Sequence, residues 1–103
     1  MDKYAAGDTA PDWECRLFDG NDPYSLIGAL SVRVKMWRDD VQIIDREGTW
    51  DPLQVGYVTL NLLPGDMVEP GPVLSRVVVT NSEGIQTFPP IGYMKTIVSP
   101  ASP

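Results

Sequence analysis

From Leu30 to Trp37 the chain alternates with a period of two. Val32, Val34 and Met36 fall on one side, and Ser31, Arg33, Lys35 and Trp37 on the other. Only a strand sorts neighbouring residues to opposite faces, so the first set predicts a core face and the second an outer face. Asp12 to Phe18 has the same period, with Trp13, Cys15 and Leu17 set against Glu14 and Arg16. Val41 to Asp45, Gln54 to Leu62, Val73 to Thr80, Ile85 to Phe88 and Tyr93 to Val98 complete the strands expected. In Gln54 to Leu62, Val55, Tyr57 and Thr59 oppose Val58, Leu60 and Leu62; in Val73 to Thr80, Val77 and Val79 share a face. Tyr24 to Ala29 reads as an irregular apolar link.

Turn chemistry separates these runs. Asp19-Gly20-Asn21-Asp22-Pro23, Arg38-Asp39-Asp40, Arg46-Glu47-Gly48, Pro64-Gly65-Asp66, Pro70-Gly71-Pro72, Asn81-Ser82-Glu83-Gly84 and Pro89-Pro90-Ile91-Gly92 all favour chain reversal. Short β-rich runs at near-regular spacing predict an all-β domain. The expected architecture is an immunoglobulin-like antiparallel β-sandwich of seven to eight strands. The domain is expected over residues 7–98, preceded by an N-terminal arm, residues 1–6, and followed by a C-terminal tail, residues 99–103. In the arm, Tyr4 to Ala6 is apolar, and ordering on assembly is one reading of it.

Composition narrows the chemistry. The 103 residues hold no His and one Cys, Cys15. No imidazole base or imidazole metal ligand exists, and no intrachain disulfide can form. Cys15 lies within an apolar alternation and reads as a small buried hydrophobe. Acid pairs such as Asp39-Asp40, Asp45 with Glu47, and Asp19 with Asp22 lie in or beside turns, where Asp is favoured for local reasons. Asp19-Gly20-Asn21-Asp22 has oxygen ligands but lacks the frame and the later Glu of a calcium loop. No catalytic, metal or cofactor residue is expected.

The formal net charge is −6, and the basic residues are scattered among acids, which argues against nucleic-acid binding. There is no apolar run of about eighteen residues, so no membrane insertion is expected. The Met1 to Asp8 stretch lacks the basic and apolar regions of a secretion signal. Trp37 falls on an outer face beside Arg38, and Trp50 opens a segment beside Asp51-Pro52. With Tyr4 they are the candidate interface residues.

Ordered loop motifs add a resemblance. Gly7-Asp8-Thr9-Ala10-Pro11 precedes an alternating strand. Asp19 to Ala29 resembles a turn followed by a D-L-T-G-A link, departing from it at Ser25 and Ile27. Ser31 to Met36 fits a second strand. Leu63-Pro64-Gly65-Asp66 followed by Pro70-Gly71 resembles W-x-P-G-D…P-G without its aromatic residue. Glu83 to Tyr93, with Phe88, Pro89, Gly92 and Tyr93, resembles D-G-x-x-x-T-F-P-x-x-G-Y. In this order the motifs resemble the N-terminal domain of the tailed-phage baseplate upper protein and related phage tail domains.

The resemblance implies a virion protein, made in the host cytoplasm, with an immunoglobulin-like fold that docks to other tail or baseplate proteins. Homo-oligomers within a symmetric assembly are implied too. A capsid decoration protein is the alternative of the same class; a carbohydrate-binding module that stacks host glycans on Trp37 is the alternative of another. The motif residues also have local readings: Gly65 and Gly71 relieve tight turns, Pro64 stiffens a loop, and Asp66 accepts backbone N–H bonds within its own turn.

Overall fold

The computed structural model describes residues 4–9, 12–67, 69–89 and 92–99. The described residues are all-β, without a helix. The strands are β1 (Tyr4–Ala5), β2 (Trp13–Arg16), β3 (Phe18–Asp19), β4 (Asp22–Pro23), β5 (Ser31–Arg38), β6 (Val41–Glu47), β7 (Tyr57–Leu60), β8 (Gly71–Asn81), β9 (Gly84–Phe88) and β10 (Met94–Ser99).

One large sheet runs in the order β1-β10-β8-β5-β6. Strand β8 is its spine. One side of β8 pairs with β5 from Leu74 to Thr80. The other side pairs with β10 over Gly71 to Ser75 and with β9 over Val77 to Asn81. A single strand of 11 residues thereby templates two shorter ones end to end. A second, two-stranded ribbon joins β2 to β7, and β3 and β4 form a short hairpin.

The alternation expected for β5 and β8 is realised. Val32, Val34 and Met36 of β5 and Val73, Val77 and Val79 of β8 are buried on the inner face. The ribbon supplies Trp13, Val58 and Leu60 to the same core. Burying each such side chain contributes about 1.5–3 kcal/mol. The ribbon is fastened to the large sheet by the indole N–H of Trp13, which donates to Thr96 Oγ1 at 3.2 Å. A second junction is Gly48, where the chain leaves β6 to bridge Thr49 with Thr59. A Cβ on Gly48 would stand 2.9 Å from Val58 and 3.2 Å from Val34, side chains of the two layers. The missing side chain lets the chain cross between the layers there.

The expected arm is corrected in its described part. Tyr4 is 4% exposed and belongs to the core, and β1 pairs parallel with β10 through Tyr4 and Val98. Burial of the Tyr4 ring pulls this segment into the fold, and Gly7 N donates to Met67 O at 2.6 Å beyond it. The large sheet is therefore mixed rather than wholly antiparallel. Ser99, assigned to the tail by sequence, extends β10; residues 1–3 and 100–103 lie outside the described residues.

Val55 is a second correction. It was expected in a strand, but Gln54 to Gly56 turn, with Tyr57 N donating to Gln54 O at 3.1 Å. Gly56 has φ +81°, and a Cβ there would lie 2.7 Å from Leu17 O. Strand β7 therefore begins only after it.

The β5–β6 hairpin closes through Asp39 and Asp40, with φ of 50° and 65°. Two consecutive positive φ values define the mirror-image turn whose twist matches that of paired strands. The register then slips between Met36 and Trp37, because Ile43 is an extra residue between Ile44 and Gln42.

Candidate docking surface

Alternation in β5, β8 and β10 sends a second set of side chains to the outer face of the large sheet. Trp37, Leu74 and Lys95 lie in one cross-strand row, and Lys35 and Arg76 form the next. None of these five is buried. This face therefore differs from the inner one, which the ribbon covers.

Tyr93, at the start of the segment leading into β10, folds onto this face. Its ring meets Trp37 edge-on, with centroids 5.4 Å apart and planes at 74°. The guanidinium of Arg76 sits 4.4 Å from the Tyr93 ring centroid, and Arg76 Nε donates to Gly92 O at 2.8 Å. The cation holds the ring in place through the ring quadrupole and locks the adjoining turn through the hydrogen bond. One side of Tyr93 is thus occupied by a cation, and Trp37 is half-buried. No pair of coplanar, open rings is offered for a sugar to stack upon.

Charge on the face is organised as well. Arg33 Nε donates to Asp45 at 2.7 Å, and Arg33 Nη1 lies 4.0 Å from Glu47. The hydrogen bond from Arg33, together with Arg33 and Lys35 charge, holds the Asp45 carboxyl below its usual range against the opposing effect of burial. The acids of this face are therefore engaged by Arg33. Among the described residues Lys35 and Lys95 have no ion pair within 4.0 Å.

The other candidate interface residues are placed elsewhere. Arg38 continues the inner side of β5. Its side chain is 10% exposed, and Nη2 donates to Glu69 O at 2.7 Å. It lines a groove of about 330 Å³ with Val41, Ile43 and Gly65 at the end of the hairpin. Burial of Arg38 removes it from the surface that carries Trp37. Trp50 packs against the core beside β7, in the other layer. Tyr4 is in the core, and burial, aided by Asp12, pushes its hydroxyl up to about 12. Of the other three candidate interface residues, Tyr4, Arg38 and Trp50, none shares the face of Trp37.

The motif loops hold the fold. Asp66 accepts Leu63 N at 2.7 Å within its own turn, as its position suggested. It also accepts Arg46 Nη1 at 2.9 Å and Nη2 at 2.7 Å, while Nη2 reaches Asn61 O at 3.0 Å. Burial raises the Asp66 carboxyl, but the Arg46 and Leu63 hydrogen bonds outweigh it, and the net shift is downward. Arg46 is raised in turn by Asp66. Sequence reading missed Arg46, which it places in a turn; β6 instead continues through Arg46 and Glu47, paired with Val34 and Arg33.

Asp8 accepts Ala5 N at 2.9 Å and closes the turn after β1. Gly7, Gly65, Gly71 and Gly92 have φ of 93°, 97°, 122° and 78°, conformations that other residues adopt rarely. Phe88 is buried against Tyr24, with centroids 4.7 Å apart, and Phe88–Pro89 is a cis peptide bond. Pro64 and Gly65 occupy the turn that Asp66 closes, while Ala10, Pro11, Pro90 and Ile91 lie outside the described residues.

Cys15 is half-buried on the core, and burial, then Glu14, pushes its thiol up to about 12, so the reactive thiolate is suppressed. Among the described residues no group of three or more Cys, Asp or Glu is arranged to hold a metal. Comparison with protein-family models, with curated proteins and with solved structures finds no match.

Proposed function

We propose that the chain is a non-enzymatic docking domain of a tailed-phage particle, with an immunoglobulin-like sandwich as its scaffold, acting at the tail or baseplate. The observation that carries this reading is the uncovered outer face of the large sheet, where Trp37 and Tyr93 sit among cations. A large sheet covered on one side by a ribbon and open on the other is suited to receiving a partner as its missing layer. Large aromatic residues held rigidly on such a face are the usual anchors of protein interfaces. The resemblance of the ordered loops supplies the particle. Asp66, Gly7 and Phe88 support it by holding the scaffold, the work expected of residues shared across such a family.

The sugar-binding reading is less well supported, because Arg76 covers one side of Tyr93 and Trp37 meets it edge-on. A capsid decoration role uses the same face and differs in place and number. Quantitative mass spectrometry of purified particles, with heads and tails separated, distinguishes them. The reading expects the chain in the tail fraction, in copy numbers that follow the rotational symmetry of the tail. Recovery with heads, in far greater number, selects decoration, and absence from both fractions overturns the proposal.

A further inference from the structure

The outer face differs in sign from the rest of the molecule. Arg33, Lys35, Arg76 and Lys95 place four of the chain's eight Lys and Arg side chains on it. The acids beside them are Asp45 and Glu47, both engaged by Arg33. The whole chain carries a net charge of −6. Half of the basic side chains of an acidic protein are thus collected on one sheet face. They also stand around apolar surface: Leu74 lies between Trp37 and Lys95 in one row, and Lys35 and Arg76 adjoin in the next. Like charges directly opposite on neighbouring strands are unfavourable in the free domain. Arg76 is partly relieved by Tyr93 and Gly92, and Lys35, which stands between Arg76 and Asp45 in its row, only by the charge of a carboxylate already bonded to Arg33.

We infer that this face docks onto an acidic surface of another protein, with Trp37 and Leu74 at the centre and Lys35, Arg76 and Lys95 around them. The inference rests on the docking reading above and names the chemistry of its partner. Carboxylates at the rim would relieve the Lys35–Arg76 pairing and steer the encounter, while burial of Trp37 would supply the anchor. An acidic polysaccharide has the charge, but Arg76 covers one face of Tyr93 and Trp37 meets that ring edge-on, so no open coplanar pair of rings is offered for stacking. A second copy repels this one at long range, both being acidic.

The test is a titration of isotope-labelled protein with a short poly-glutamate peptide, followed by amide shifts. Shifts confined to Lys35, Trp37, Leu74, Arg76 and Lys95 are expected, weakening steeply with salt. The variant Lys35→Glu/Arg76→Glu/Lys95→Glu should bind at least about tenfold more weakly. Lys35→Gln/Lys95→Gln, which leaves the Arg76–Tyr93 contact alone, should weaken binding with the core spectrum unchanged.

The inference is overturned by no binding, by shifts elsewhere, or by an unaffected neutral variant. Tighter binding of dextran sulfate to the same face assigns it to a polysaccharide. Shifts at these residues on concentrating the protein alone assign it to a second copy. Both overturn it. The particle assay stands apart: a chain present in tails that fails to bind poly-glutamate sinks this inference only, and the converse sinks only the phage reading.

Discussion

Asp66→Asn removes the charge from the carboxylate that fastens the Leu63–Asp66 turn to β6. The wild-type side chain accepts three bonds, from Leu63 N at 2.7 Å and from Arg46 at 2.9 and 2.7 Å. The Asp66 side chain is 9% exposed and that of Arg46 31%, so the pair is neither fully solvated nor fully buried. Charged hydrogen bonds of this kind are each worth about 1.5–3 kcal/mol, and one amide oxygen can still accept Leu63 N. A loss of about 2 kcal/mol at neutral pH follows, equivalent to roughly 8–16 °C in Tm for a domain of this size.

The pH dependence is set by the downward shift of the Asp66 carboxyl. In the unfolded chain an Asp titrates near 3.9, and above about pH 5 both states are ionised, so the pair contributes in full. As pH falls through that range the unfolded chain takes up the proton first. The advantage of wild type over Asp66→Asn must shrink, and it vanishes once pH drops below the lower, folded value. Urea melts of wild type, Asp66→Asn, Arg46→Gln and the double variant at several pH values measure both effects, with the double-mutant cycle giving the coupling. A loss under about 0.5 kcal/mol at neutral pH, the value of an ordinary surface pair, would refute the reasoning. So would a difference between wild type and Asp66→Asn that stays constant on acidification.

Three further substitutions probe the scaffold in chemical melts. Gly56→Ala forces a side chain into φ +81° and a Cβ to within 2.7 Å of Leu17 O, and should cost about 2–4 kcal/mol; a loss below 1 kcal/mol would mean that the turn relaxes easily (by the same scale). Tyr4→Ala should cost about 3 kcal/mol, as for other buried aromatics, whereas an arm outside the fold would lose almost nothing. Tyr4→Phe should be near neutral or stabilising, since the Tyr4 hydroxyl is buried without a partner among the described residues. Asp39→Asn/Asp40→Gly should raise stability by about 0.5–1 kcal/mol, because Asn-Gly suits two consecutive positive φ values better than Asp-Asp; a destabilised double variant would contradict the turn assignment.

Much of the fold was legible because strands announce themselves locally. Val32, Val34 and Met36 alternate with Arg33, Lys35 and Trp37 whatever their neighbours are, and all six fall on the sides their order implies. The turn at Asn81 to Gly84 was equally plain, with Asn81 Oδ1 accepting Glu83 N at 2.9 Å. What escaped depends on partners distant in sequence. Two residues at Tyr4–Ala5 show no period, and become a strand only because Val98 offers an edge. Gly48 and Gly56 resemble any other turn glycines until Val58 and Leu17 O come close. Of the candidate site, Trp37 was placed correctly on the outer face. Arg38 beside it, read as the first residue of a turn, ends β5 and lies on the opposite face. Arg76 and Lys95 were read as scattered charges, since only the pairing of β8 with β5 and β10 collects them.

Lysine acetylation and oxidative labelling of Trp, compared between free protein and purified particles, test the docking account most directly. If the outer face is the docked one, Lys35, Trp37 and Lys95 become protected in the particle, while Trp50, in the other layer, keeps the labelling of the free protein. Equal labelling of Lys35, Trp37 and Lys95 in both samples would contradict it.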